Sequence, residues 1–282
     1  MASTEQNALV STSWLAKHLN APDVRVVDAT YTLPTQNRNP RAEYEEAHIP
    51  GAVFFDIDDV ADEASDLPHM VPDAAKFSSR VRKLGLGDGV RIVVYDGNRF
   101  SASARVWWMF RMFGHADVAV LDGGLGKWRA EGHPVDDHLV SPTERHFTAR
   151  QNNLLYRDLD QIRAHVVNPS EQLIDARSEG RFRGEDAEPR AGQRSGHIPH
   201  SLNLPHSELV APDGTFLPSE RLKQRFAEAG VDPGKPIATT CGSGVTACTL
   251  ALALYQIGVP DVAVYDGSWT EWGGRADTPI AT

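Results

Sequence analysis

Hydrophobic residues along this chain fall into short runs rich in valine and isoleucine, separated by longer stretches with helical spacing. Val24-Arg25-Val26-Val27-Asp28-Ala29 and Val90-Arg91-Ile92-Val93-Val94-Tyr95-Asp96 predict strands, as does Asp117-Val118-Ala119-Val120-Leu121. Ser11-Thr12-Ser13 offers N-cap hydroxyls for a helix through Trp14, Leu15 and His18, ended by Asn20-Ala21-Pro22. Helical patterns follow at 41–47 and 104–114, the latter carrying Trp107 and Trp108, which read as packing residues.

The second half repeats this grammar. Leu173-Ile174-Asp175-Ala176 echoes Val26-Val27-Asp28-Ala29, and Gly196-His197-Ile198-Pro199 echoes Ala47-His48-Ile49-Pro50. Asp261-Val262-Ala263-Val264-Tyr265-Asp266-Gly267 matches Asp117-Val118-Ala119-Val120-Leu121-Asp122-Gly123, and the same offset places Gly258 on Gly114, Trp272 on Trp128 and Cys241 on Gly97. Strands alternating with helices predict an α/β fold in two tandem copies, each a mostly parallel sheet flanked by helices, with any site at a strand's carboxyl end. The expected division is 8–135 for a first domain lacking the nucleophile, 136–153 for a polar linker and 154–282 for a catalytic domain. His48 and His197 recur at one place in both copies and read as structural.

Chemistry concentrates at Ile237-Ala238-Thr239-Thr240-Cys241-Gly242-Ser243-Gly244-Val245-Thr246-Ala247. A strand ends on a cysteine, a glycine-rich loop lets successive amides turn inward, and an apolar helix follows. A thiol facing such a nest and a helix N-terminus is favoured as thiolate, so Cys241 is the expected nucleophile. Cys248, further along the same helical pattern, reads as core.

Composition narrows the setting. The chain has 282 residues, 41% hydrophobic and 23% charged, which is ordinary globular composition. A formal charge of −10 gives no global field that would draw nucleic acid or an anionic membrane, so an anionic substrate needs its own local arginines. Two nearby cysteines make no disulfide framework and no zinc set. Met1 to Asn7 has neither a basic nor an apolar leader pattern, and no apolar run approaches a membrane span. The expectation is a cytoplasmic protein without metal or organic cofactor.

The tandem repeat, the Asp-Ala and His-Ile-Pro elements and the Cys241-Gly242-Ser243-Gly244-Val245-Thr246-Ala247 loop together resemble the rhodanese superfamily, and more narrowly its 3-mercaptopyruvate sulfurtransferases. That resemblance implies a cysteine that takes sulfur from a donor as a persulfide and passes it to a thiol, a thioredoxin or cyanide, releasing pyruvate when 3-mercaptopyruvate is the donor. It implies Cys241 as nucleophile and Ser243, His69 and Asp58 as a proton relay. It further implies Arg181 and Arg190 as holders of the donor's carboxylate and keto oxygen, with Gly242, Gly244, Val245 and Thr246 forming the binding loop. Thiosulfate-preferring relatives carry basic residues after the cysteine where this chain has Gly242 and Ser243, which leaves a thiosulfate sulfurtransferase as the alternative. Tyr31 stands where the family often has a tryptophan lining the donor pocket. A Cys-dependent phosphatase would need an arginine at position 247, where this chain has alanine. A non-catalytic binding module is the more remote reading.

Overall fold

A computed structural model describes residues 7–98 and 100–282; the polar start at 1–6 lies outside them. The first unit runs β1 (Leu9–Val10), α1 (Thr12–His18), β2 (Val24–Asp28), α2 (Pro40–Glu46), β3 (Val53–Phe54), α3 (Ala74–Lys83), β4 (Arg91–Tyr95), α4 (Ala102–Met112), β5 (Val118–Leu121) and α5 (Gly124–Ala130). The second runs β6 (Tyr156–Arg157), α6 (Leu159–Val167), β7 (Gln172–Asp175), α7 (Glu179–Phe182), β8 (Leu202–Asn203), α8 (Ser219–Glu228), β9 (Ile237–Thr240), α9 (Ala247–Gln256), β10 (Val262–Tyr265) and α10 (Ser268–Trp272). Ser11 caps α1 by accepting from the Trp14 amide, as its hydroxyl predicts.

Each unit is a five-stranded parallel sheet, ordered β1-β5-β4-β2-β3 and β6-β10-β9-β7-β8. Parallel strands require crossovers, and the crossover helices cover both faces, which is why β4, β5, β9 and β10 are almost wholly buried. The two units share one apolar core. At its centre lie α4 and α9, both apolar on nearly every face, a pattern that fits a helix enclosed on all sides. Trp107 of α4 meets Tyr255 of α9 edge-on, with ring centroids 5.4 Å apart. Trp108 is buried and donates its indole N–H to the Leu155 carbonyl, 3.0 Å away.

The polar run at 136–153 is laid along the first unit. Asp136 pairs with His48 through two backbone hydrogen bonds, Phe147 is buried against Phe77, and Arg150 and Asn152 donate to the carbonyls of Phe113 and Met112. Its apolar anchors are the buried Phe147 and the half-buried Val140 and Ala149, too sparse a signal to show as periodicity. His48 and His197 are both held by backbone carbonyls, those of Tyr44 and Phe182, and stack on the same two rings.

The register of the strands corrects one sequence alignment. Asp28 pairs with Tyr95 in the first sheet, and Asp175 pairs with Thr240 in the second. The residue after Tyr95 is Asp96, so Cys241 corresponds in space to Asp96 and not to Gly97. A one-residue difference between the copies, beyond the loop, shifts the alignment read from the later strand.

Candidate active site

Cys241 directly follows β9, and α9 begins six positions after it, the same spacing as between Asp96 and α4. Its side chain is buried, and its amide donates to the Ser268 hydroxyl at 3.1 Å. The carbonyls of Cys241 and Gly242 are turned away to the amides of Trp269 and Thr270 at the start of α10. Among the described residues, the amides of Gly242 to Thr246 donate to no protein acceptor. They are left available to an anion at the loop, as a nest requires. Gly244 adopts φ +75°, and a Cβ there would stand 2.6 Å from the Asp266 carbonyl, so the turn requires glycine.

The first unit shows what this loop does with an anion. The Asp96 carboxylate accepts from the amides of Asn98 (2.8 Å), Ala102 (3.1 Å) and Ser103 (2.8 Å), filling its own cradle. In the second unit the same strand end carries a sulfur instead.

Cys241 opens onto a cavity of about 540 Å³ between the units, lined from the first by Tyr31 and Asn98 and from the second by Arg177, Arg181, Arg190, His206 and the loop. Gly242, Ser243, Val245 and Thr246 all face it; Gly244 lies behind the wall. Arg181 reaches the loop, with its Nη2 3.2 Å from where a Cβ on Gly242 would sit. Glu188, almost fully enclosed, clamps two of the arginines, accepting from Arg181 at 2.6 Å and from Arg177 at 2.8 Å. Arg177 is also held by Asp175 at 2.6 Å and lies over the Trp269 ring. Arg190 has no carboxylate partner among the described residues. Three arginines against two buried carboxylates therefore leave one positive charge uncompensated. His206 adds none, because burial, with a smaller contribution from Arg181, holds its imidazole below the usual histidine range.

His69 is buried, takes φ +62° and reaches the site from the first unit. Its Nδ1–H donates to Asp58 at 2.5 Å, which fixes the tautomer, and its Nε2 accepts from Arg190 at 3.4 Å. The His-Asp half of the expected relay is therefore assembled. Ser243 is not joined to it: its hydroxyl stands on the cavity wall beside Cys241 and makes no side-chain hydrogen bond among the described residues. Tyr31 packs edge-on against His69 at 4.8 Å and lines the same cavity. Burial raises its phenol above the usual tyrosine range, reinforced by Asp58 and opposed by Arg190.

Sequence reasoning missed Glu188, Asp175 and the buried pair Arg105–Asp266. Asp175 and Arg177 are two residues apart at a strand end, a spacing that suits a local ion pair. Arg105 carries no such signal because its partners Asp266 and Gly244 come from the second unit, and Glu188 carries none because its two arginines lie 7 and 11 residues away across an irregular loop with no fixed spacing. Cys248 is fully buried, its S–H directed to the Gly244 carbonyl at 3.3 Å, and burial pushes its thiol up to about 12, eased by Arg105.

Residues 11–131 and 158–275 each match the rhodanese-like domain. The chain is 44% identical over 276 residues to rat (Rattus norvegicus) thiosulfate sulfurtransferase, covering 95% of this chain and 93% of the relative. It is 43% identical over 295 residues to thiosulfate/3-mercaptopyruvate sulfurtransferase 1, mitochondrial, of Arabidopsis thaliana, covering 96% and 77%. The crystal structure of SseA from Escherichia coli, described with the 3-mercaptopyruvate sulfotransferases, superposes with a TM-score of 0.85 at 38% identity over 93% of this chain and 99% of that one. No helix among the described residues is long and apolar enough to cross a membrane. With both halves matched, this chain belongs to the rhodanese family.

Proposed function

We propose that the protein is a sulfurtransferase whose preferred donor is 3-mercaptopyruvate. The observation that carries this is the charge of the cavity: one uncompensated arginine, Arg190, suits a singly charged carboxylate donor better than doubly charged thiosulfate. Cys241 as thiolate attacks the donor sulfur, the carbon–sulfur bond breaks, and its electron pair leaves on carbon as the enolate of pyruvate. Arg190 and Arg181 hold the carboxylate and keto oxygen, and the loop amides hold the sulfur anion as those of the first unit hold Asp96. The donor carboxylate draws Arg190 away from His69 Nε2, which then bonds the Ser243 hydroxyl. The Ser243, His69 and Asp58 group takes up the donor's S–H proton and returns it to the enolate carbon, giving pyruvate and leaving the persulfide anion at Cys241. A second thiol, small or thioredoxin-like, attacks the outer sulfur and restores Cys241.

Thiosulfate is the rival donor, favoured by the likeness to the rat thiosulfate sulfurtransferase. The deciding experiment is kcat/KM for both donors with one acceptor, with Cys241→Ser as control. A preference for 3-mercaptopyruvate of about tenfold or more, equal to about 1.4 kcal/mol, supports the reading. A preference for thiosulfate overturns the donor, and full activity in Cys241→Ser overturns the nucleophile. The two unpaired thiols suit a reducing compartment, which we take to be the cytoplasm. Fractionation of the producing cells tests this against the mitochondrial setting in the plant relative's name.

A further inference from the structure

Arg105 rises from α4 of the first unit and is completely enclosed at the boundary with the second. Its Nη1 forms an ion pair with Asp266 at 2.6 Å and donates to the Gly244 carbonyl at 3.3 Å; its Nη2 donates to the His69 carbonyl at 2.5 Å. Asp266 in turn accepts from the Val71 amide at 2.7 Å, two residues past His69. The guanidinium lies over the Trp108 ring, 4.6 Å from its centroid, which fixes its plane. A buried ion pair is a weak source of stability, because desolvation offsets most of its attraction. This one touches both halves of the site at once.

The consequence follows from peptide geometry. In a planar trans peptide the carbonyl and the next amide point in opposite directions. Holding the Gly244 carbonyl inward to Arg105 therefore turns the Val245 N–H outward, toward the cavity that Val245 and Cys241 line. The same guanidinium pins the backbone of His69, whose left-handed conformation needs such support. We propose that Arg105 is a positioning residue for sulfur transfer, aiming the Val245 amide at the Cys241 sulfur and holding His69 in reach of Arg190 and Ser243. This rests on the sulfurtransferase reading for its catalytic part and on Cys241 alone for the rest.

The test uses the full chain with Arg105→Lys, Arg105→Met and the double variant Arg105→Met/Asp266→Asn, which leaves no lone buried carboxylate. Thermal melting identifies the folded variants. In a folded methionine variant, kcat is expected to fall about a hundredfold, the scale of losing one preorganised amide donor, with donor KM within about threefold. Lysine, reaching one carbonyl, restores part of the loss. Alkylation of Cys241 by iodoacetamide at fixed pH slows in the same order, a readout that needs no sulfur donor and stays decisive even when the donor assignment fails. A folded double variant with wild-type kcat and alkylation rate overturns the proposal, as does a loss confined to KM.

Discussion

Glu188→Gln separates the charge argument for donor choice from every other feature of the site. The glutamate cancels one of the three arginines lining the cavity, so its isosteric amide leaves two positive charges uncompensated where there was one. At roughly 7 Å and an effective dielectric of about 20, each unit of donor charge gains about 2.4 kcal/mol from the added cation, and exposure to solvent reduces this to about half. Thiosulfate carries one more negative charge than 3-mercaptopyruvate. The ratio of kcat/KM for thiosulfate over 3-mercaptopyruvate should therefore rise by about eight- to sixtyfold. Loosening of Arg181 lowers both values, and this common factor cancels in the ratio. Breaking a buried pair costs about 3 kcal/mol or more, so the variant is assayed well below its melting temperature. Steady-state kinetics with both donors at two salt concentrations provide the measurement, with a smaller shift at higher salt. An unchanged ratio, or one moved toward 3-mercaptopyruvate, refutes the reasoning.

Cys241→Asp should be inactive yet at least as stable as wild type, because the carboxylate meets amides like those Asp96 already uses; a clearly lower melting temperature would show that the second loop is not the same cradle. Cys248→Ala should keep activity within about threefold and cost about 1 kcal/mol of stability, and mass spectrometry of the donor-treated enzyme should find the extra sulfur on Cys241 alone. Burial lowers the imidazoles of His115, His165 and His206, so their contribution to stability is fully present above the unfolded value near 6.5 and is lost as pH falls through the folded values. The melting temperature should therefore drop between about pH 7 and pH 5. His165, whose ring nitrogens have no hydrogen-bond partner among the described residues, should when replaced by leucine raise the melting temperature more at pH 5 than at pH 7.5; an equal gain at both would reject the linkage.

The elements that periodicity makes visible are those whose burial is set by their own sequence. β2, β4, β9 and β10 are apolar runs between turn residues, and α9 reads as a helix on any scale. The cysteine loop was readable for a related reason: a thiol, two glycines and a helix start act over a few consecutive residues. Contacts that no local periodicity links are different in kind. Arg105 looks like any helical arginine until the second unit closes over it, and Glu188 looks like a loop charge until Arg177 and Arg181 converge on it. Ser243 and His69 show the limit from the other side, since the residues for a relay are present while the link between them is not made. The Gly97 alignment failed because offsets read from a later strand carry any intervening one-residue change, whereas strand register counts hydrogen-bonded neighbours directly.

The two units solve one electrostatic problem in opposite ways. A parallel strand that ends at a helix start leaves several amides aimed at a single point, and that point attracts negative charge. In the first unit the chain supplies the charge permanently: Asp96 occupies the cradle, and nothing from outside can displace a covalently tethered carboxylate. In the second, Cys241 stands at the strand end and opens onto the cavity, and in the proposed reaction its sulfur is the nucleophile that carries a second sulfur outward. Filling the first cradle frees that unit for support. It contributes the enclosed α4 helix, the His69–Asp58 pair that meets Arg190, Tyr31 on the cavity wall, and Arg105, which reaches the other unit's loop. Because α4 and α9 are apolar on nearly every face and bury one another, separation would expose both helices to water. The first unit is therefore a wall of the cavity beside Cys241 as well as half of the shared core.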